Sequence, residues 1–193
     1  MSGHIPQTGE PGTKIAARRV AREVWRALSH AARTRITSHW SEFLRSANWS
    51  RILVYVPFGD ELDLLPALAG FDPARIYAPC TRANHEMEFR RFDPRADAPV
   101  PGYLAVPGPA PDAPPLTLPL GPDDLVVVPA LGANADGFRL GRGGGYYDRW
   151  RERLAAAQLV GVFPRSVAIL DFSGESHDIR FNYIITEDGP CRR

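Results

Sequence analysis

The run Leu125-Val-Val-Val-Pro129 is the clearest buried strand in this chain, and a glycine-rich loop follows it at 132–145. Its nearly continuous apolar character is typical of a strand covered on both faces, as in a parallel sheet. The earlier run Arg51-Ile-Leu-Val-Tyr-Val-Pro57 has the same character. Weaker strand patterns are predicted at 76–79, 88–92, 159–163 and 183–186.

Two amphipathic helices are predicted before the first strand. The first starts at Lys14, and its apolar positions are Ile15, Val20, Val24 and Leu28. Those of the second are Ile36, Trp40, Phe43 and Leu44. Shorter helices are predicted at 60–69 and 145–157. Alternating strands and helices of this kind predict a Rossmann-like, three-layer α/β/α sandwich with a largely parallel central sheet.

Residues 1–12 are polar and rich in Gly and Pro, which predicts a disordered tail before a single α/β domain at 13–193. The Pro-rich segment 93–122 is predicted to be a long surface loop, either a lid or a plain connector. Ligands of parallel α/β sheets bind beyond the carboxyl ends of the strands. Both Phe58-Gly-Asp-Glu61 and the loop at 132–145 fall at such ends.

The composition is that of an ordinary globular protein of 193 residues, with 44% hydrophobic and 23% charged residues. A formal net charge of +1 gives no electrostatic reason to expect nucleic acid or an anionic membrane as a partner. The sequence shows no apolar run near the roughly 20 residues that span a bilayer. The two cysteines, Cys80 and Cys191, are isolated, so we expect a cytoplasmic protein with reduced thiols.

The segment Leu140-Gly-Arg-Gly-Gly-Gly-Tyr-Tyr-Asp-Arg149 has the composition of an anion site. Glycines let the backbone approach a ligand closely, and backbone N–H groups at the start of a helix attract phosphate. Arginine adds bidentate donors, and a carboxylate such as Asp148 suits Mg²⁺. A flexible hinge is the alternative for the glycines. The segment is not a Walker loop, since no Lys-Ser/Thr follows it. It is not the dinucleotide-binding motif either, since that motif belongs to the first strand–helix unit, with an acidic residue about 20 positions on.

These residues resemble the signature D-x-x-G-x-R-L-G-x-G-x-G-Y-Y-D-R of 5-formyltetrahydrofolate cyclo-ligases, also called methenyltetrahydrofolate synthetases. The match is continuous over Arg139-Leu-Gly-Arg-Gly-Gly-Gly-Tyr-Tyr-Asp-Arg149. Further segments resemble the family as well: Lys14-Ile-Ala-Ala-Arg18, Tyr55-Val-Pro57, Glu61-Leu-Asp63, Met87-Glu-Phe89 and His177-Asp178.

The chain also departs from the family pattern. Asn182 stands at the position taken for the family's second acidic metal ligand, and Asp136 lies closer to Gly137 than the pattern predicts. Ala17 and Leu64 replace a common Leu and Thr, and the usual Gln is missing from 161–165. These departures leave open a divergent paralogue acting as another nucleotide-dependent kinase or ligase, or a non-catalytic folate or nucleotide binder.

The resemblance implies an ATP- and Mg²⁺-dependent enzyme that converts 5-formyltetrahydrofolate to 5,10-methenyltetrahydrofolate. Its partners would be the folate and ATP, and a monomer is favoured. For Glu61 the alternative is a helix first-turn acid, and for Tyr146 and Tyr147 it is packing rather than stacking. The implied sites are as follows: catalytic Arg142, Tyr147 and Arg149; ATP-binding Lys14, Arg18, Arg139, Gly141, Arg142, Gly143, Gly144, Gly145, Tyr146, Tyr147 and Asp148; folate-binding Tyr55, Glu61, Met87 and Tyr146; and metal-binding Asp148 and Asn182.

Overall fold

A computed structural model describes residues 12–193 of the chain. The predicted disordered tail therefore lies outside the described residues, apart from Gly12. The division into a tail and one domain stays a prediction.

The described strands are, in chain order, β1 (Arg51–Leu53), β2 (Ile76–Thr81), β3 (Met87–Arg91), β4 (Val100–Pro101), β5 (Pro107–Gly108), β6 (Asp124–Val127), β7 (Gly132–Ala133), β8 (Arg139–Leu140), β9 (Gln158–Val162), β10 (Tyr183–Thr186) and β11 (Gly189–Arg192). The α-helices are α1 (Lys14–Ala27), α2 (His30–Arg45) and α3 (Tyr146–Leu154). Short 3₁₀ helices cover Leu65–Leu68, Pro73–Arg75, Ala83–His85, Tyr103–Ala105 and Arg165–Val167.

Seven of these strands form one sheet in the order β11-β10-β9-β6-β1-β2-β3. The strands from β10 through β2 run parallel, whereas β11 and β3 pair antiparallel at the two edges. All four residues of β6 are buried, as a strand covered on both faces requires. The predicted α/β class with a largely parallel central sheet is confirmed.

Indole hydrogen bonds connect the helices to the backbone around the sheet. Trp25 of α1 donates to the Leu131 carbonyl at 3.0 Å, and Trp150 of α3 donates to the Met87 carbonyl at 2.8 Å. Each indole thereby satisfies its buried N–H while its ring fills the core. The first of these bonds places α1 beside the chain that leaves β6, and the second places α3 on β3.

The buried face of α1 differs from the predicted one. Its buried residues are Ala17, Ala21 and Trp25, whereas Ile15 and Val20 are exposed. Two small residues spaced by four positions let the helix approach its neighbours closely, so size decided the face rather than hydrophobicity alone. The face predicted for α2 is confirmed, since Ile36, Trp40, Phe43 and Leu44 are all buried.

Several predicted elements change in length or type. The helix predicted at 60–69 is reduced to the 3₁₀ turn Leu65–Leu68, because the Asp63 carboxylate caps the Leu65 N–H and Pro66 follows. The segment 93–122 contains the short β4–β5 pair. The hairpins β7–β8 and β10–β11 were not predicted, since two of their strands are only two residues long and β11 contains Gly and Pro. None of the described helices combines the length and apolar character needed to cross a membrane.

Candidate active site

The glycine loop at 141–145 follows the β7–β8 hairpin at the carboxyl end of β6. The buried side chain of Asn134 holds this hairpin, since its Oδ1 accepts hydrogen bonds from the N–H groups of Asp136 at 3.1 Å and Phe138 at 2.8 Å. Asn134 lies three residues before Gly137 and so takes the first position of the D-x-x-G pattern. The spacing of the D-x-x-G pattern is therefore intact in this chain. The departure from the pattern is an Asn in place of Asp at position 134, and not a shifted Asp136.

Arg139 supports the glycine loop from within the protein. Only 8% of its side chain is exposed. Its Nε donates to the Pro129 carbonyl at 2.9 Å, and its Nη1 lies 3.0 Å from Asp148 Oδ1. A Cβ at Gly141 would meet Arg139 Nη1 at 2.6 Å, so a larger residue there would displace this guanidinium from its present position. Arg139 thus holds Asp148 and the loop in place and is not open to a ligand.

Two other arginines fix the loop from either side. Arg18 of α1 donates its Nε to the Gly141 carbonyl at 2.9 Å. Arg142 reaches across to the turn after β1, where its Nη2 lies 2.7 Å from Asp60 Oδ1 and its Nε lies 3.2 Å from Glu61 Oε1. The structure therefore brings together the two carboxyl-end segments that the sequence predicted to form the site.

Glu61 is held in a defined and largely buried position. Its Oε2 accepts the Phe58 N–H at 3.0 Å, and 15% of its side chain is exposed. Burial raises the pKa of Glu61, although the charge of Arg142 opposes this shift. Burial would also raise the pKa of Asp60, but its hydrogen bond from Arg142 prevails and lowers that pKa. Because no helix begins here, the interpretation of Glu61 as a helix first-turn acid is wrong.

Lys14 at the start of α1 forms an ion pair that the sequence did not predict. Its Nζ lies 2.8 Å from Asp178 Oδ2 and 3.1 Å from Glu175 Oε1. Burial alone would lower the pKa of Lys14, but hydrogen bonds to Asp178 and Glu175 outweigh it and raise the pKa. The His177-Asp178 motif indicated a functional carboxylate in this part of the chain. It did not indicate which basic side chain that carboxylate would contact.

The two tyrosines of the signature have different environments. Tyr147 is 5% exposed, its ring packs edge-on against Phe89 at 6.1 Å, and burial raises its pKa. Its hydroxyl is buried with no hydrogen-bond partner among the described residues. Tyr146 is half-buried, donates its hydroxyl to the Arg82 carbonyl at 3.2 Å and lies 5.7 Å from the His85 ring. Tyr147 is therefore a packing residue with a spare hydroxyl, and Tyr146 faces the β2–β3 turn.

The other residues predicted to contact a ligand differ in how deeply their side chains are buried. Tyr55 is buried, and its hydroxyl donates to the Leu62 carbonyl at 3.3 Å. Met87 is buried but lines a groove of about 570 Å³ between the β2–β3 turn and α3. Exposed Arg149 lines the same groove, and its Nη1 donates to the Gly144 carbonyl at 3.4 Å. Gly145, which follows Gly144 in the loop, has a backbone φ of +68°, a conformation that favours glycine.

The predicted metal pair is not assembled in this structure. Asn182 precedes β10, and its Oδ1 accepts the Leu159 N–H at 2.7 Å near the start of β9. Asp148 lies in the first turn of α3, beside the carboxyl end of β6. Since β6, β9 and β10 are parallel, these two residues lie at opposite ends of the strands, and Asn182 is corrected to a structural role. Among residues 12–193, no group of three or more His, Cys, Asp or Glu side chains forms a metal cage.

Comparisons with known proteins agree with the sequence signature. A model of the 5-formyltetrahydrofolate cyclo-ligase family matches residues 13–187. A protein of Mycolicibacterium smegmatis named 5-formyltetrahydrofolate cyclo-ligase is 37% identical over 79 residues, covering 39% of this chain and 41% of that relative. A protein of the same name from Mus musculus is 35% identical over 73 residues, covering 35% of this chain and 36% of that relative. The matched stretches span less than half the length of either relative.

The likeness in three dimensions covers nearly the whole chain. A solved structure of the 5,10-methenyltetrahydrofolate synthetase from Aquifex aeolicus superposes with a TM-score of 0.73 at 22% sequence identity. The match covers 93% of this chain and 92% of that chain. At this identity the likeness concerns the fold, and it confirms the architecture predicted from the sequence.

Proposed function

The chain belongs to the 5-formyltetrahydrofolate cyclo-ligase family, and we propose that it converts 5-formyltetrahydrofolate to 5,10-methenyltetrahydrofolate with hydrolysis of ATP. The observation that carries the proposal is the position of the glycine loop. Arg18 ties the loop to α1, and Arg142 ties it to the carboxylates of Asp60 and Glu61. A backbone suited to phosphate thus lies beside carboxylates suited to an amino-substituted ring.

The phosphate side of the site consists of the loop backbone and the cationic groups around it. Gly141, Gly143, Gly144 and Gly145 bring N–H groups close to a ligand, at the positive end of α3. Arg18 and Lys14 of α1 and Arg142 of the loop supply full charges. Lys14 and Arg142 are paired with carboxylates in this structure. Bound phosphate would therefore compete with Asp178, Asp60 and Glu61 for these cations.

The folate side of the site consists of Glu61 and the residues near it. A buried carboxylate accepts hydrogen bonds from the amino and ring N–H groups of a pterin. Glu61 is fixed for this role by Phe58 N–H, and its charge is balanced by Arg142. Met87 lines the groove between the β2–β3 turn and α3, and Tyr146 lies next to this turn through its hydrogen bond to the Arg82 carbonyl. Tyr55 is buried, so it supports this wall from behind.

The proposed reaction proceeds in two steps. The formyl oxygen attacks the γ-phosphorus of ATP, and ADP leaves. N10 of the folate then attacks the activated carbon and gives up its proton to water, closing the ring as phosphate leaves. Because an amide oxygen is a poor leaving group, phosphorylation makes the second step possible. In this proposal the protein positions the two substrates, and Arg142 and the loop N–H groups neutralise charge on the transferred group.

Magnesium fits this site as a companion of the nucleotide. The carboxylates on the phosphate side of the site each have a basic partner: Asp148 pairs with Arg139, and Asp178 pairs with Lys14. Mg²⁺ needs only one or two protein carboxylates when phosphate oxygens and waters complete its shell. Asp148 and Asp178 are the residues that would contribute these oxygens. When bound, the ion would neutralise phosphate charge.

The direct test is to incubate the full chain with Mg·ATP and 5-formyltetrahydrofolate and to record methenyl absorbance and ADP together. Stoichiometric formation of both products supports the proposal, with ATP alone as the control. Binding of both ligands without either product would overturn it in favour of a non-catalytic binder. ADP formed only with other acceptors would favour a divergent kinase or ligase.

Other properties of the protein stay predictions. A location in the cytoplasm is proposed from the composition, and a monomeric state is proposed with it. The net charge of +1 favours small molecules over nucleic acid or membrane as partners.

A further inference from the structure

The corner between α1 and α2 contacts both of the segments that form the candidate site. Trp25, near the end of α1, donates its indole N–H to the Leu131 carbonyl at 3.0 Å, in the chain that leads from β6 to the glycine loop. Arg33, near the start of α2, donates from Nη1 to the Asp60 carbonyl at 3.1 Å, in the turn after β1. The two halves of the site therefore share this corner as a support.

Arg33 is fixed at the corner by the end of α1. Its Nη2 donates to the Trp25 carbonyl at 3.3 Å, and its guanidinium carbon lies 5.9 Å from the centre of the Trp25 ring. The last carbonyls of a helix lack partners within the helix and form the negative end of its dipole, so a cation is favoured there. A guanidinium is planar with donors in fixed directions, so it can bind two acceptors in one defined geometry. Arg33 thus links the position of α1 to the backbone at Asp60.

The turn at 58–61 depends on side chains for its position. It lies outside the described helices and strands, and Phe58 at its start is 45% exposed. A Cβ at Gly59 would meet no atom of the described residues within 4 Å, so the turn is open on that side. Within the turn, Glu61 Oε2 accepts the Phe58 N–H at 3.0 Å. The hydrogen bond from Arg33 fastens the same turn to the helices.

The carbonyl that Arg33 binds belongs to the peptide unit between Asp60 and Glu61. The carboxylates of these two residues lie 2.7 Å and 3.2 Å from nitrogens of Arg142. Rotation of this peptide unit would therefore move both carboxylates relative to Arg142. Displacement of a binding group by about 1 Å is enough to reduce catalytic efficiency strongly.

We propose that Arg33 is a positioning residue for the folate side of the site: it fixes the Asp60–Glu61 peptide so that the Glu61 carboxylate is held in place for the substrate ring. The inference rests on the proposed function. Arg33 binds two backbone carbonyls, so it acts through Glu61 and does not touch the reacting atoms. The cations of α1 on the ATP side are held by other partners, Lys14 by Asp178 and Arg18 by the Gly141 carbonyl.

The first test separates positioning from a loss of folding. Arg33→Met keeps the length of the side chain and removes its charge and donors. We expect KM for 5-formyltetrahydrofolate to rise about tenfold and KM for ATP to change by less than about twofold. Unfolding would instead reduce the amount of active enzyme, which lowers the apparent kcat and leaves both KM values alone. Arg33→Lys should recover part of the loss, since an ammonium group can still donate to the Asp60 carbonyl.

Arg35→Met is the matched control for removal of a guanidinium from α2, because Arg35 is exposed on the same helix. It should retain both KM values of the wild type. A tenfold rise in KM for the folate in Arg35→Met would overturn the inference, because the effect would then be one of net charge.

A double-mutant cycle with Glu61→Gln tests whether Arg33 acts through Glu61. If it does, adding Arg33→Met to Glu61→Gln should raise KM for the folate by about twofold or less, instead of about tenfold. The inference is overturned if Arg33→Met raises this KM equally in both backgrounds, or if it lowers only kcat and the melting temperature. If the wild type forms no methenyl product, the proposed function fails, and this inference fails with it.

Discussion

The Lys14 ammonium group at the start of α1 lies 2.8 Å from Asp178 Oδ2, across 164 residues of sequence. This ion pair joins the first helix to the segment before β10 at the edge of the glycine loop. It is partly buried, with 21% of the Lys14 side chain and 9% of the Asp178 side chain exposed. A cation in this position is held ready for phosphate, but it must exchange partners to bind it.

We expect Lys14→Ala to weaken the use of ATP more than it weakens folding. Loss of one charge-assisted contact should cost about 1.5–3 kcal/mol in nucleotide binding, which raises KM for ATP by roughly 10- to 100-fold. The free energy of unfolding should fall by only about 1 kcal/mol, because Asp178 keeps the Glu175 N–H as a partner. Steady-state kinetics and thermal denaturation measure the two effects. Arg19→Ala, at an exposed position of the same helix, is the control, and equal kinetics in both variants would contradict the assignment.

Glu61→Gln should raise KM for the folate and leave KM for ATP nearly unchanged. The amide has the shape of the carboxylate, but it presents donors as well as an acceptor to the row of ring donors. We expect a rise of at least tenfold, consistent with loss of a charged acceptor at about 1.5–3 kcal/mol. Separate titrations of folate and ATP distinguish the two effects. A larger effect on ATP would place Glu61 in the nucleotide site, through its contact with Arg142.

The raised pKa of Glu61 predicts that the difference in stability between Glu61→Gln and the wild type depends on pH. Burial raises the pKa of Glu61 above the unfolded value of about 4.3. The folded protein therefore binds this proton more tightly than the unfolded chain, so stability is lost as pH rises through the folded pKa. Since Glu61→Gln cannot ionise, its melting temperature relative to wild type should increase between about pH 4 and neutral pH. A relative decrease over that range would mean that the ion pair with Arg142 outweighs the cost of burial.

Asn182→Asp should leave the Mg²⁺ dependence of ATP turnover unchanged. Asn182 accepts the Leu159 N–H at the opposite end of the strands from Asp148, and an aspartate can accept the same bond. Asp178→Asn, in contrast, removes a carboxylate at the phosphate side and should shift the Mg²⁺ titration to higher concentration. A shift in Asn182→Asp, with no shift in Asp178→Asn, would restore the metal assignment made from the sequence. Melting temperatures of both variants would exclude an effect of unfolding.

The sequence predicted the parallel sheet and the family because both depend on local patterns. The apolar run at 125–129 and the glycine signature at 139–149 are each continuous in sequence, and both predictions are confirmed. The meeting of the loop with Phe58–Glu61 also followed from a general rule on the carboxyl ends of strands. The partners of individual charges did not follow, since Lys14 and Asp178 are distant in sequence and a motif does not state which side chains face each other.

The error at Asn182 has a related cause. Motif spacing was used to place it at the metal, but four residues along an extended chain move a side chain by roughly 13 Å. Asp178 therefore lies beside Lys14 on the phosphate side of the site, while Asn182 lies at the other end of the strands. The buried face of α1 was mistaken for a similar reason, because hydrophobic periodicity does not weigh the close approach that Ala17 and Ala21 permit.

Tyr147→Phe should lower turnover without lowering stability. The Tyr147 hydroxyl is buried and has no hydrogen-bond partner among the described residues, although its ring lies beside the Arg139 guanidinium that supports the loop. An unsatisfied buried hydroxyl costs about 1–3 kcal/mol, so its removal should leave the free energy of unfolding equal or higher. Buried polar groups without partners are rare, and here the ring that carries the group lies 5.6 Å from the Arg139 guanidinium carbon. We therefore expect the hydroxyl to gain a hydrogen-bond partner when a substrate binds and the side chains that cover it shift, and kcat to fall about tenfold on its loss. Tyr55→Phe is the matched control, because the Tyr55 hydroxyl donates to the Leu62 carbonyl and its removal should lower stability. Full turnover in Tyr147→Phe would show that the hydroxyl has no part in the reaction.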